Sequence, residues 1–184
     1  MRLAPESAQP EYALLHWGLV PFWSKTATTK FPLINARAEG IEKKPSFRGP
    51  FKHRRCLIPA RGFYEWQQID GRKQPYFFRP VDDGLFLLAG IWDNWQGDDG
   101  TVIESCAIIT TEANAQIRPI HERMPVILNE ENLSAWLDPG TNQQTSLALL
   151  TPFAAPMTIH PVNSKVNNPR HNGPDCVARI SAEE

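Results

Sequence analysis

Seventeen prolines, spread from Pro5 to Pro174, are the strongest limit on what this chain can fold into. Each fixes its own φ and withholds a backbone N–H, so long helices are ruled out almost everywhere. Between the prolines lie short runs rich in aromatic and β-branched residues, and segments 12–18, 62–67, 76–79, 85–92 and 102–110 read as strands. Asp70-Gly71 predicts a tight hairpin turn, and a second hairpin turn falls at 97–100. Asn129, followed by Glu130, Glu131 and then Leu133, Trp136 and Leu137, has the cap, early acids and apolar spacing of a helix that Asp138-Pro139-Gly140 closes. Further short helices are predicted at 113–117 and around 146–150, and strands at 125–128 and 158–162. This mixture predicts an α+β single domain, mainly antiparallel strands curled into a barrel-like sheet with a few short helices. No repeat or low-complexity segment interrupts it, and residues 169–184 read as a polar tail.

The 184 residues, 41% hydrophobic and 21% charged, suffice to bury one core. No apolar run approaches the roughly 20 residues of a membrane span, and the start lacks the regions of a signal peptide, so no membrane contact and a cytoplasmic location are expected. Cys56, Cys106 and Cys176 are widely spaced with no CxxC pair, which points to neither a disulfide framework nor zinc; Cys56 and Cys106, in apolar runs, are expected to be buried and inert. His16, His53, His160 and His171 are scattered, so no metal and no cofactor is expected. The net charge of −1 argues against indiscriminate nucleic-acid binding, but its distribution is uneven. Residues 37–61 hold eight basic side chains against two acids, +6, leaving −7 for the rest. Such segregation suits a phosphate backbone approached on one face, or else a solvated loop.

Three side chains capable of proton transfer sit in apolar or Gly/Arg surroundings: Asn35, Glu65 and His121. Glu65 lies between Tyr64 and Trp66 on a predicted strand, so it faces one side while they face the other. Facing inward, it would have its pKa raised by desolvation into the range of acid–base work; facing outward, it is an ordinary surface acid. A lone His such as His121 serves structure as readily as catalysis, and Asn35 suits a turn equally well. Phe22 and Trp23 share the tip of a Pro-directed loop, where they can stack on unpaired bases, wedge into a duplex end, or simply fill a core.

Seven strings occur in order: WGLVPFW (17–23), INARAE (34–39), RCLIPARGFYEW (55–66), AGIWD (89–93), IITTEAN (108–114), IHERMPVIL (120–128) and HPVNSKVNN (160–168). Together they resemble the SOS response-associated peptidase family, whose members crosslink to abasic sites in single-stranded DNA and process their own N-terminus. The family's nucleophile is an N-terminal Cys within an MCGR string. Its amine forms a Schiff base with the ring-opened sugar aldehyde, and its thiol closes a thiazolidine. By this resemblance Glu65 shuttles protons, His121 assists at the sugar oxygen and Asn35 orients the terminal Cys. Arg37 and Arg123 hold phosphates, Thr110 adds a hydrogen bond, and Phe22 with Trp23 sits at the junction of single and double strand. The expected partner is therefore single-stranded DNA with abasic sites, or single/double-strand junctions. Residues 35, 65 and 121 are expected to line a shared hollow.

The sequence departs from the pattern at its start, where Met1-Arg2-Leu3 stands in place of MCGR. Roughly three dozen residues of the family pattern are expected to be missing. None of Cys56, Cys106 and Cys176 substitutes for the terminal Cys, because a thiazolidine needs amine and thiol on one residue. Two explanations follow: a start upstream of Met1, or a shortened paralogue that binds single-stranded DNA without covalent chemistry. Arg61, where the family more often has a small or acidic residue, is expected to lower the pKa of Glu65. A third reading, a hydrolase in which Glu65 and His121 activate water, lacks a convincing nucleophile or metal.

Overall fold

A computed structural model of the chain describes residues 1–5, 7, 9–28 and 31–180. Asp70 (φ 46°) and Gly71 (φ 78°) both adopt positive φ, as the tightest hairpin turns require. They join β6 (Phe63–Ile69) to β7 (Arg72–Pro80), paired from Ile69↔Arg72 to Phe63↔Phe78. β11 (Met157–Pro161) completes a three-stranded antiparallel sheet on the other edge of β7, with His160 opposite Phe77. Gly62 precedes β6 where any Cβ would collide with the Phe78 carbonyl and the Phe77 ring. The sheet belongs to one of two compact units, formed by Ala60–Phe86, Ala113–Met124 and the chain from Ala154.

The other unit comprises Met1–Pro59, Leu87–Glu112 and Pro125–Phe153. Its sheet is built on β8 (Phe86–Gln96) and β9 (Val102–Glu112), antiparallel around a turn whose Gly100 has φ 84°. β1 (Arg2–Leu3) and β2 (Pro10–Glu11) form a separate antiparallel pair; β5 (Arg55–Ala60) flanks β8, while β3 (His16–Trp17) and β4 (Asn35–Arg37) run parallel to β9. One face of this sheet buries Ala36, Ala89, Ile91, Ala107 and Ile109 against Leu19, Phe51, Val126 and Trp136. Among the described residues no helix is long and apolar enough to cross a membrane.

The helices are short, in keeping with the proline distribution: α1 (Arg48–His53), α2 (Leu133–Leu137) and α3 (Gln143–Ala148). Their C-terminal carbonyls need donors, and one side chain supplies them for two helices. Arg55, 5% exposed, donates to Phe51 O (2.9 Å) and Lys52 O (3.1 Å) of α1, to Trp136 O (2.5 Å) of α2, and to Asp138 O just beyond it. Trp136 Nε1 in turn donates to Cys56 O (2.9 Å), so the α2 end and β5 are joined in both directions. Arg55 is thus a buried structural cation, lost to the basic surface that the 37–61 charge count implied.

The α+β class, with mainly antiparallel strands curled into a barrel-like sheet and few short helices, is the one observed. Several local expectations differ. Segment 12–18 holds only the two-residue β3, with Tyr12 and Leu14 exposed. Segment 113–117 is turns, because Asn114 Oδ1 accepts the N–H groups of Gln116 and Ile117 (both 3.0 Å). The 125–128 strand is displaced to β10 (Arg123–Pro125), with Ile127 making an isolated bridge to Leu88. The helix expected at 146–150 begins earlier because Asn142 caps it by accepting from Thr145 N (2.9 Å). Helix α1 and strands β4 and β5 were not expected.

Replacing Arg55 with Ala leaves four carbonyls without their donor. The expected loss is about 3 kcal/mol or more of unfolding free energy in urea melts, partly recovered by Arg55→Lys; a loss under about 1 kcal/mol contradicts the capping role.

Candidate active site and nucleic-acid interface

The antiparallel register of β6 decides which way Glu65 faces. Tyr64 and Trp66 go to one face, where Tyr64 Oη donates to Cys176 O (3.2 Å) and Trp66 Nε1 donates to Asn167 Oδ1 (2.7 Å). Glu65 goes to the other, with Phe63 and Gln67. On that side Gln67 Nε2 donates to Pro119 O (3.0 Å), and this bond fixes the 113–124 segment beside the strand. The segment holds its own shape through Ala113 N to Glu122 O (2.9 Å) and His121 N to Ile117 O (3.0 Å).

These contacts bring His121 Nδ1 to 3.4 Å from Glu65 Oε2. The Glu65 side chain is only 20% exposed, and burial pushes its pKa from the ordinary 4.5 up to about 7, against the opposing pull of His121. His121 Nδ1 also lies 3.0 Å from Arg123 O and 3.1 Å from Arg123 N. With a proton on Nδ1 the ring donates to Arg123 O beside the carboxylate; without one it accepts the Arg123 N–H. The Glu65 carboxyl can therefore hold a proton near neutral pH beside an imidazole, as general acid–base chemistry requires. Arg61 does not act on this carboxyl as expected. It lines a cavity of about 510 Å³ with Phe77, Arg79 and His160, whose strand positions belong to the opposite face of the sheet, and the Glu65 shift is upward.

In the other unit, β4 alternates strictly: Ala36 is fully buried while Asn35 and Arg37 are exposed on the same side. Thr110 stands opposite Arg37 on β9. The loop tip places Phe22 and Trp23 outward at 61% and 54% exposure, with Trp17, Phe31 and Ile34 also exposed in this unit. The core alternative for the aromatic pair is thereby removed. Of the eight predicted site residues, Glu65, His121 and Arg123 come together in one unit, and Asn35, Arg37 and Thr110 share one ladder in the other.

Cys56 and Cys106 are buried; burial pushes the Cys56 thiol up to about 12 and raises that of Cys106, which suits neither to a nucleophile's role. The scattered histidines concealed one cluster: His171, Asp175 and Cys176 bring ligand-capable atoms within 4.8 Å of one another. Asp175 there is already paired with His171 Nε2 (3.0 Å) and Lys165 Nζ (3.6 Å). Sequence reading also missed Gln67 and the buried Asp93. The signal for Asp93 was a carboxylate ending the apolar run AGIWD.

A family model described as "SOS response associated peptidase (SRAP)" matches residues 2–169. The chain is 42% identical over 166 residues to Abasic site processing protein YoqW of Bacillus subtilis strain 168, covering 89% of this chain and 74% of that one. It is 38% identical over 196 residues to Abasic site processing protein HMCES of Rattus norvegicus, covering 89% of this chain and 55% of that one. A crystal structure of a Bacteroides thetaiotaomicron protein superposes with a TM-score of 0.82 at 34% identity, over 91% of this chain and 76% of that one. A phage-related protein of Bordetella bronchiseptica does so with a TM-score of 0.62 at 30% identity, over 82% and 70%. With residues Arg2 to Pro169 matched and these relatives beside it, the chain belongs to the SOS response associated peptidase family.

Proposed function

We propose that this protein recognises abasic sites in single-stranded DNA, and that Glu65 and His121 move protons on the ring-opened deoxyribose. The observation that carries this reading is a buried carboxyl, pushed up to about 7, lying 3.4 Å from an imidazole. The relatives named abasic site processing proteins supply the substrate class. An abasic sugar equilibrates between a closed hemiacetal and an open aldehyde. Opening needs a proton removed from the anomeric hydroxyl and one delivered to the ring oxygen, and a carboxyl beside an imidazole can divide these tasks. Glu65 in its ionised form takes the hydroxyl proton, and protonated His121 supplies the ring oxygen. Condensation of the aldehyde with an α-amine then expels water, for which Glu65 serves as the acid.

In the covalent version of this chemistry, the amine and thiol of one N-terminal Cys both add to the aldehyde carbon, giving a thiazolidine with loss of one water. Asn35 orients that residue in this reading. Arg37 and Arg123 hold phosphates, Thr110 adds a hydrogen bond, and Phe22 with Trp23 stacks at the end of a duplex where single strand begins. Self-processing at the N-terminus belongs to the same reading. The 184-residue chain is expected to shift abasic single-stranded DNA on a native gel. A band surviving denaturation is expected only when an N-terminal Cys precedes this sequence and Glu65 is intact. Failure of both chains to shift abasic DNA contradicts the reading.

Phosphate contacts also leave a salt signature. Arg37→Ala is expected to weaken binding to all sequences alike and to flatten the slope of log affinity against log salt by about 0.7. An unchanged slope removes Arg37 from the interface.

The raised carboxyl has a further consequence. Folded Glu65 holds its proton to about pH 7, whereas in the unfolded chain the group ionises near 4.5. The native state therefore binds more protons between these values, so Glu65 destabilises the fold progressively as pH rises from about 4.5 through 7. Glu65→Gln, which cannot ionise, is expected to match the wild type at pH 4.5 and to exceed it by about 1–3 kcal/mol at pH 8 in urea melts. An equal difference at both pH values excludes the upward shift.

A further inference from the structure

The aromatic loop is gripped by three buried polar groups that the chemistry above does not use. Residues 20–24 carry Phe22 and Trp23 outward, and their backbone is tied to one face of the β8–β9 ladder. Val20 N donates to Ser105 Oγ (2.8 Å), Phe22 N donates to Asp93 Oδ2 (3.0 Å), and Trp95 Nε1 donates to Ser24 O (2.8 Å). Asp93 and Ser105 are directly paired across the ladder, and Trp95 lies two residues along on the same face. Exposures of 1%, 0% and 7% put all three beyond the reach of solvent. The loop closes on itself by a turn, Ser24 N to Pro21 O (2.8 Å).

Asp93 is the centre of this grip. Its other oxygen, Oδ1, accepts from Arg54 Nη2 (2.8 Å) and from Asn94 N (2.9 Å). Every contact to the carboxylate is thus a donor, which an isosteric amide cannot reproduce at both oxygens. The arrangement costs a buried charge, offset by Arg54, and a tight turn alone would need no ionised group beneath it. What the carboxylate adds is a fixed position for the N–H of the residue whose side chain is most exposed.

We propose that Asp93, with Ser105 and Trp95, is a positioning residue that pre-organises Phe22 and Trp23 as a stacking wedge for the end of a DNA duplex. This rests on the reading of Phe22 and Trp23 as nucleic-acid contacts. An unclamped loop would have to be ordered on binding, and that cost falls on the contact made by the wedge rather than on phosphate contacts elsewhere. The predicted effect is therefore on preference between DNA forms.

The experiment uses fluorescence anisotropy with two labelled oligonucleotides, one a single strand and one carrying the same strand joined to a duplex. It is paired with native-state trypsin cleavage after the exposed Lys25, the bond being identified by mass spectrometry. Asp93→Asn is expected to lower the junction-to-single-strand affinity ratio by about tenfold and to speed cleavage after Lys25 by a similar factor. Loss of folded protein scales both affinities alike, so the ratio separates positioning from general destabilisation. Should Asp93→Asn fail to fold, Trp95→Phe keeps an aromatic ring at this buried position and removes the N–H that holds Ser24 O; the same changes, smaller in size, are expected. A wild-type ratio of one refutes the junction reading of Phe22 and Trp23, and with it the wedge. An unchanged ratio and unchanged cleavage in both variants, with a wild type that does prefer junctions, overturns the clamp alone.

Discussion

The register of the β6–β7 hairpin is the constraint on which the catalytic reading depends. Two positive-φ residues, Asp70 and Gly71, set it, and Phe63↔Phe78 at the far end of the ladder shows that it is kept without a bulge over seven pairs. A slip by one residue would exchange faces for every side chain on β6. Glu65 would then meet the segment that now receives Tyr64 and Trp66, and the Gln67 bond to Pro119 would be lost. Two hydrogen bonds from aromatic side chains on one face and one amide bond on the other therefore lock the carboxyl against His121. The meeting of these two side chains is a consequence of pairing geometry before it is a consequence of charge.

Buried ionic groups recur in this protein with different purposes. Glu65 has one ionisable neighbour, His121, and a pKa raised by burial, which leaves its proton available near neutrality. Asp93 is surrounded by donors, with Arg54 close to one oxygen, and is organised for holding backbone. Arg55 is spent on four carbonyls, and Arg2 stacks over Trp92 at 4.0 Å while bonding Glu11 and Glu104. Partner number separates the roles: a group saturated with fixed partners builds the frame, and one with few is left to react.

How much of this was legible in the sequence depended on whether the signal was local. Asp70-Gly71 carries its own turn chemistry, and the alternation around Glu65 needs only the strand period, so both could be read directly. The strand that exposes Asn35 and Arg37 around buried Ala36 was not read, because three residues are too few to show the period and Asn35 suits a turn as well. What could not be read was the partner across space. Nothing near Arg55 in the chain announces that Trp136 and Asp138 will need its donors, which is why it was counted with the surface charges. The helix expected at 113–117 is replaced by turns because Asn114 Oδ1 takes the N–H groups of Gln116 and Ile117, a side-chain partner that the apolar spacing could not announce. The inward side of Glu65 was likewise undecided until Gln67 and His121 fixed it.

Glu65 holds a proton near neutral pH because its carboxyl is buried, with His121 acting in the opposite sense. A carboxyl carbon-13 NMR titration of selectively labelled protein, wild type beside His121→Ala, reads it directly. A Glu65 midpoint near 7 is expected in the wild type, and a higher one in the variant, since the imidazole opposes the effect of burial. A wild-type midpoint in the ordinary range close to 4.5, unmoved by the substitution, would contradict it.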